Sequence, residues 1–429
     1  MRNNLRHFLT LSLLCFGFLS TAVHAETFAI INGVVHTQAE AGVIKEGTVL
    51  IRDGRIAAVG SDVVIPEDAT VIDAAGKVVT PGLMDPSTNL GLVEVGAVDD
   101  TVDYVYSGDR FNAAHYVADA INPRSTLIPV QRIEGVTRTA SVPGTSWSGG
   151  KLIHGQSAVI SLGSVDDFIL VDRAAMHAAF GETGSGYGGE SRGGAMLALR
   201  EALQDAKDFG NNRRAFEAAD RYDYALSRLD LEAMQPVLRG EMPFVVTVHR
   251  ASDIEAVLRL AEDFDLDLVI NGGAEAWMVA DQLAAAEVPV IIDALQNLPS
   301  SFEMIGSTLQ NAAALNAAGV KVAFTAGSHN ARNITQYAGN AVANGLPWTA
   351  ALEAMTVNPA AIYGVENFGR IAPGYDADVV VWDGDPLEVT TFADHVFIRG
   401  EKVEMTSRQI KLRERYRDDE ERPQAYDTP

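Results

Sequence analysis

Nine histidines stand in this 429-residue chain, and their spacing is the first guide to the chemistry it can do. His7 and His24 lie in an apolar leader, which leaves His36, His115, His154, His177, His249, His329 and His395. No two are spaced as His-x-His or His-x-x-x-His, the arrangements that bring two imidazoles to one metal ion. His249 in "VVTVHR" and His329 in "AFTAGSHN" each stand just past a short apolar run, and Asp85 ends another in "PGLMDPSTN". Two histidines and one carboxylate would suit iron if the three met. Taken singly, each histidine orders a loop and Asp85 caps the turn that follows it.

Other reactive types are scattered. Ser87 could act as a nucleophile only with a base in hydrogen-bond reach and an oxyanion hole. Asp293, at the end of "VIIDA", is a base for a metal-free mechanism or a loop cap. Glu275, after the glycines of "NGGAEAW", is placed to cap the first turn of the next helix. The stretch "SVPGTSWSGGKLIHGQ" offers Trp147, Lys151 and His154 as a ligand loop; Trp147 and Lys151 read equally well as packing and solvent residues. The glycine-rich "GETGSGYGGESRGG" lacks the Gly-Lys-Ser/Thr ending of a phosphate loop and has no strand leading into it, so it is expected to be a mobile loop.

The elements that must position these residues fall into two patterns. From Phe28 to Val79, β-branched runs alternate with turn signals, and Asp53-Gly54 between two such runs predicts a hairpin. From Val79 to about Gly364, apolar strands precede helical stretches. "PFVVTVH" leads to a helix over 253–263 and "LDLVING" to one over 275–286; "VPVIIDA" and "GVKVAFTAG" repeat the pattern. Earlier strands are expected over 78–84, 136–142 and 158–162, with one more between Gly163 and Glu241. Strands this apolar belong to a parallel sheet covered by helices, which eight units would close into a barrel. After Asn367 the β pattern returns, so the two ends build one β unit together. The expected division is a leader over 1–25, a composite β unit over 26–80 and 366–406, a barrel over 81–365 and a charged, solvated tail over 407–429.

Composition narrows the partners. Arg2 and Arg6 precede an apolar run from Phe8 to Leu19 and then Val23-His24-Ala25, the pattern of a secretory signal cleaved after Ala25. Its apolar core is shorter than the roughly 20 residues of a membrane span, so a soluble periplasmic or secreted protein is expected. Cys15, the chain's one cysteine, leaves with the leader, taking any disulfide, thiolate ligand or cysteine nucleophile with it. The 33 basic against 57 acidic residues give a net charge of −24, which disfavours nucleic acid and anionic membranes.

Two stretches, "VIDAAGKVVTPGLMD" and "GRIAPGYDADVVVWDGDP", flank the barrel and resemble those of the amidohydrolase superfamily, on its imidazolonepropionase-like and prolidase-like side. The resemblance covers nearly the whole chain past the leader. It implies an α/β fold, a distorted (β/α)8 TIM barrel with a composite β-sandwich, and a site at the carboxyl ends of the strands. There the family usually holds one or two zinc ions that activate water against an amide, ester or imine. It supplies a His-x-His after strand 1, single histidines after strands 5 and 6, an aspartate after strand 8 and, in some members, a carboxylated lysine on strand 4. At the matching positions this chain has Ser87, Asn89, Thr247, Gly272 and Gly327, with His249 two residues past the strand-5 position. Lys207 falls in a helical run and not on strand 4. Five replacements by residues that bind zinc poorly make bound zinc, or any other cofactor, an unexpected finding.

Two expectations from different classes follow. The first is a non-catalytic barrel that binds a small molecule or pairs, as a homo- or hetero-oligomer, with an active relative. The second is an exported hydrolase of carbon–nitrogen bonds with an unconventional or metal-free site, His249 as base and His329 or Asp85 in support.

Overall fold

The computed structural model describes residues 26–108, 110–144, 151–220 and 222–417; the expected leader, Trp147 and the last residues of the charged tail lie outside the described residues. Five strands open the chain: β1 (Phe28–His36), β2 (Val43–Arg52), β3 (Arg55–Gly60), β4 (Thr70–Asp73) and β5 (Val78–Pro81). β2 pairs antiparallel with β1 and β3, while β4 and β5 run parallel to β1. The Asp53-Gly54 hairpin forms as expected, both residues at positive φ (51° and 78°), the twist that matches its flanking strands.

At Gly82 the chain passes from this sheet into the barrel. Its N–H donates to the Asp378 carbonyl at 2.9 Å, and a Cβ there would collide with the Thr137 side chain. β6 (Leu83–Thr88) then runs parallel to β7 (Val136–Ser141). The next wall segment is reversed: β8 (Ile153–Gln156) and β9 (Ala158–Ser161) are separated only by Ser157. β9 pairs antiparallel with β7, and β10 (Ile169–Val171) folds back on β9. β8 pairs antiparallel with β11 (Met176–Ala179), the strand expected between Gly163 and Glu241. From β11 the pairing is parallel throughout, across β12 (Phe244–Val248), β13 (Leu268–Gly272), β14 (Val290–Ile292) and β15 (Val322–Phe324). Met84, Ala140, Val159, Val245, Val269, Ile291 and Ala323 come from seven wall strands and meet in one buried cluster, so the wall closes around a packed interior.

Helices cover the wall where the periodicity placed them. Ala251–Phe264 buries Ile254, Val257, Leu260 and Ala261, one face at helical spacing. The long helix Arg192–Glu217, which carries Lys207, buries Ala195, Leu199, Ala202, Leu203, Ala206 and Phe209. The glycine-rich stretch before it departs from expectation. It forms short helical turns over Glu182–Ser185 and Gly186–Gly188, and Ser191 caps the long helix by accepting from Gly194 N–H.

β16 (Val379–Trp382), β17 (Ala393–Ile398) and β18 (Glu401–Lys402) return the chain to the first sheet, β16 pairing antiparallel with β5. The strand order is β18-β17-β16-β5-β1-β2-β3, with β4 on β1, so both chain ends share one hydrogen-bonded sheet. It folds over a common core in which the rings of Phe28 and Phe397 stand 5.0 Å apart. Arg138 on β7 fastens barrel to sheet: Nε meets Asp378 Oδ2 at 3.0 Å, an Nη meets Asp376 Oδ2 at 2.8 Å, and the guanidinium stacks 4.3 Å from the Phe368 ring centroid. The tail is also more ordered than expected. Arg408–Arg417 is helical with no buried residue, started by Ser407, whose hydroxyl and carbonyl receive the Ile410 and Lys411 N–H groups.

Candidate functional site

The carboxyl ends of β6, β12, β13, β14 and β15 form the barrel mouth, and Asp85 lies just beneath it, fully buried. Its carboxyl accepts from Ser87 N–H at 3.0 Å and Ala326 N–H at 3.0 Å and shares a hydrogen bond with the Thr325 hydroxyl at 2.7 Å. Among the described residues these bonds, and not a strand ladder, join β15 to β6. Thr325 Oγ1 also lies 2.8 Å from the Ser87 carbonyl and receives Gly327 N–H at 2.9 Å. Burial raises the Asp85 carboxyl to about 7 against the pull of those bonds. Tyr363, buried close by, donates to the Pro86 carbonyl at 2.6 Å. Asp85 is thus a latch between the first and last wall strands, the capping role with a longer reach than the next turn.

Two of the positions that the resemblance matches to zinc ligands, Thr247 and Gly272, are taken up by other contacts. Asn271 on β13 donates from Nδ2 to Thr247 Oγ1 at 3.0 Å, pairing two inward side chains across strands. His249 lies over Gly272: a Cβ built on Gly272 would stand 2.9 Å from Nδ1 and 3.0 Å from Nε2, and closer still to Cε1. The imidazole therefore occupies the space that a strand-6 ligand side chain would cross. Gly272 also sits at φ 94°, a conformation L side chains rarely adopt. Replacing Gly272 by Ala is expected to destabilise the protein by about 2 kcal/mol or more through clash and strain together. Urea unfolding of the single variant and of a Gly272→Ala/His249→Ala double variant checks this, the double recovering the clash component. Burial lowers His249 to about 4, and its Nδ1 is buried without a partner.

His177 on β11, which the sequence marked only as one histidine among seven, is the residue missed. It faces inward with Ala175 and Ala179, and its Nε2 has no partner. His154 on β8 stands near enough to affect its charge; burial first, then that neighbour, lowers His177 to about 3. Burial lowers His154 to about 4, and its Nε2 is likewise unpartnered. His115 Nδ1 donates to the His154 carbonyl at 3.0 Å. The available signal was the period-2 pattern of "AAMHAAF", which puts His177 on the face of the small inward residues.

The remaining candidates disperse. His329 is lowered by burial and by the charge of Arg332, with no share from Asp85 or His249. Asp293 ends β14, exposed at the mouth, and accepts Leu295 N–H at 2.8 Å. Glu275 caps the preceding helix and not the next one: its carboxylate takes Ala251 N–H at 3.0 Å and Gly306 N–H at 2.9 Å. The reason is that "NGG" turns the chain back across the mouth, aiming Glu275 at the start of Ala251–Phe264. Lys151 donates to the Phe111 carbonyl and lies 4.6 Å from the Tyr106 ring centroid, tied to the loop before β7. Around Gly327 there is open space, and the buried Asn89 Oδ1 lacks a partner.

Zinc needs three or four imidazole, carboxylate or thiolate donors about one point. Among the described residues no three His, Cys, Asp or Glu side chains gather in that way, so the residues present do not fit the ion the fold family implies. Apart from Asp293 at its rim, what the mouth offers is neutral: hydroxyls, amides and imidazoles whose conjugate acids are disfavoured by burial.

Comparison with known proteins places this geometry. Residues 252–406 match the family model described as "Amidohydrolase family". The amidohydrolase tasK of Hapsidospora irregularis is 25% identical over 392 residues, covering 82% of this chain and 39% of its own length. The chain thus spans well under half of that relative. An imidazolonepropionase from Geobacillus sp. (strain WCH70) is 37% identical over 78 residues, 17% of this chain and 15% of that protein. The crystal structure of an amidohydrolase from Thermotoga maritima MSB8 superposes with a TM-score of 0.79 at 29% identity, covering 88% of this chain and 99% of that one. With the barrel, the shared sheet and the strand-end mouth as its frame, the chain belongs to the amidohydrolase superfamily.

Proposed function

We propose that the chain is an exported barrel that binds a small, polar, uncharged molecule at its mouth without zinc-centred hydrolysis. The observation that carries this reading is the His249 imidazole lying over Gly272, where a strand-6 ligand would have to stand. A position that had merely lost its ligand would leave space there, whereas over Gly272 the space is taken by the His249 ring. Neutral imidazoles at His154, His177 and His249 favour amide and hydroxyl partners over anions, since burial opposes their protonation. Export is supported by the leader pattern in the sequence.

The test is mature protein recovered from the periplasm or medium, its N-terminus at Glu26, purified without chelator and assayed for metal and for turnover of amides, dipeptides and lactones. Substoichiometric metal and no metal-dependent turnover are expected, with thermal-shift binding to a polar small molecule. Stoichiometric zinc with chelator-sensitive turnover would sink the proposal. A second reading, carbon–nitrogen bond hydrolysis without metal, is favoured by the likeness to the Thermotoga amidohydrolase along most of the chain. In that case turnover persists under chelator and disappears in His249→Ala. At about 4, His249 is a weak base for that work, which is why this reading stands second.

A further inference from the structure

The loops leaving β13 and β14 hold six apolar side chains out in solvent: Trp277, Met278, Leu295, Leu298, Phe302 and Ile305. Phe302 is 85% exposed, Leu298 76% and Ile305 66%, far beyond what scattered surface residues need. Trp277, Met278, Phe302 and Ile305 meet around Gly306, and Leu295 and Leu298 stand on the same loop from β14 as Phe302 and Ile305. Trp277 Nε1 donates to the Gly306 carbonyl at 2.9 Å, and the Met278 methyl lies against Gly306. Phe302 and Ile305 are three residues apart across the 3-10 turn Phe302–Met304, so they share a face. The loop that carries Leu295 starts at the barrel mouth, where Asp293 accepts the Leu295 N–H.

These loops are anchored from below by buried carboxylates. Glu303 accepts Glu182 N–H at 2.6 Å and pairs with Arg192 at 3.4 Å, and Glu275 accepts Gly306 N–H. The acidic groups point inward and the apolar groups outward, the reverse of an ordinary loop. From Ala294 to Asn311 the only charged residue is Glu303, and it is buried, on a chain of net charge −24. An uncharged face is what a second, equally acidic copy needs in order to approach; anionic lipid would be repelled by the charge around it. The exposed area is on the order of 700 Å² per molecule, against about 800 Å² per partner in a standard stable interface.

We propose that this surface docks a second copy of the chain about a two-fold axis, with the interface beside the barrel mouth. Self-complementary apolar patches close as isologous dimers and leave nothing exposed to propagate. The test is sedimentation equilibrium on the mature chain and on a Leu298→Ser/Phe302→Ser variant, with far-UV circular dichroism of both. The wild type is expected at twice the monomer mass and the variant at the monomer mass, with the same spectrum. A wild type that stays monomeric at micromolar concentration overturns the proposal, as does a variant that remains dimeric. Flotation with phosphatidylcholine vesicles as a monomer also overturns it and assigns the surface to lipid.

Discussion

Asp85→Ala is expected to cost about 4 kcal/mol at pH 5, because it leaves the buried Ser87 and Ala326 N–H groups without acceptors and frees Thr325 from one partner. By pH 8 the cost should shrink. The Asp85 carboxyl stands at about 7 in the folded chain against an ordinary 3.8, so the folded state binds the proton more tightly than the unfolded one. A raised acid contributes stability that is fully present below about pH 4 and is lost as pH rises through 7; above that the wild type carries the ionisation penalty, at most about 4 kcal/mol. Hydrogen-bond counting agrees. Thr325 has one hydroxyl proton and two acceptors, Asp85 Oδ1 and the Ser87 carbonyl. A protonated Asp85 donates to Thr325 Oγ1, which then donates to Ser87; an ionised Asp85 leaves the Ser87 carbonyl without a donor. Urea unfolding of wild type and variant at pH 5 and pH 8 isolates this group, because titrations common to both cancel. A mutational cost that is equal at the two pH values, or larger at pH 8, would refute the protonated latch.

Much of the mouth was legible because it depends on local pattern. The ends of β6, β12, β13 and β15 fall where apolar runs stop, and the resemblance to the amidohydrolase superfamily, laid on those endings, picks out Ser87, Asn89, Thr247, Gly272 and Gly327 as the positions that match its zinc ligands. What escaped depends on contacts distant in sequence. The reversal of β8 and β9 is invisible in "KLIHGQSAVISLG", since period 2 carries no direction. Glu275 was aimed at the wrong helix because capping motifs are read forward along the chain, whereas here a turn sends the side chain back to Ala251. His249 could be seen to miss the ligand position but not to fill the space over Gly272, a relation across two strands. The iron-type set of Asp85, His249 and His329 required convergence, and each of the three is held by its own surroundings.

Arg138→Ala should be the most damaging change away from the mouth, costing about 3–5 kcal/mol, the usual result of stranding a buried charge. Arg138 and Asp378 are both almost wholly buried, and Asp376 is only slightly exposed. Removing the guanidinium leaves two carboxylates at the joint between β7 and β16, of which Asp378 keeps just the Arg399 N–H at 2.9 Å. It also removes the stack on Phe368. Because the pair is out of solvent, the loss should be nearly the same at low and high salt, unlike that of exposed pairs such as Arg213–Glu217. Arg138→Lys separates charge from geometry. Lysine restores a cation but neither the fork that spans Asp376 and Asp378 nor the planar stack, so it should recover only part of the stability. Denaturant midpoints for the three proteins at two salt concentrations decide the matter. A loss under 1 kcal/mol for alanine, or full rescue by lysine, would mean that the sheet and barrel are held together by their apolar contacts alone and that the "YDAD" carboxylates are solvated in place.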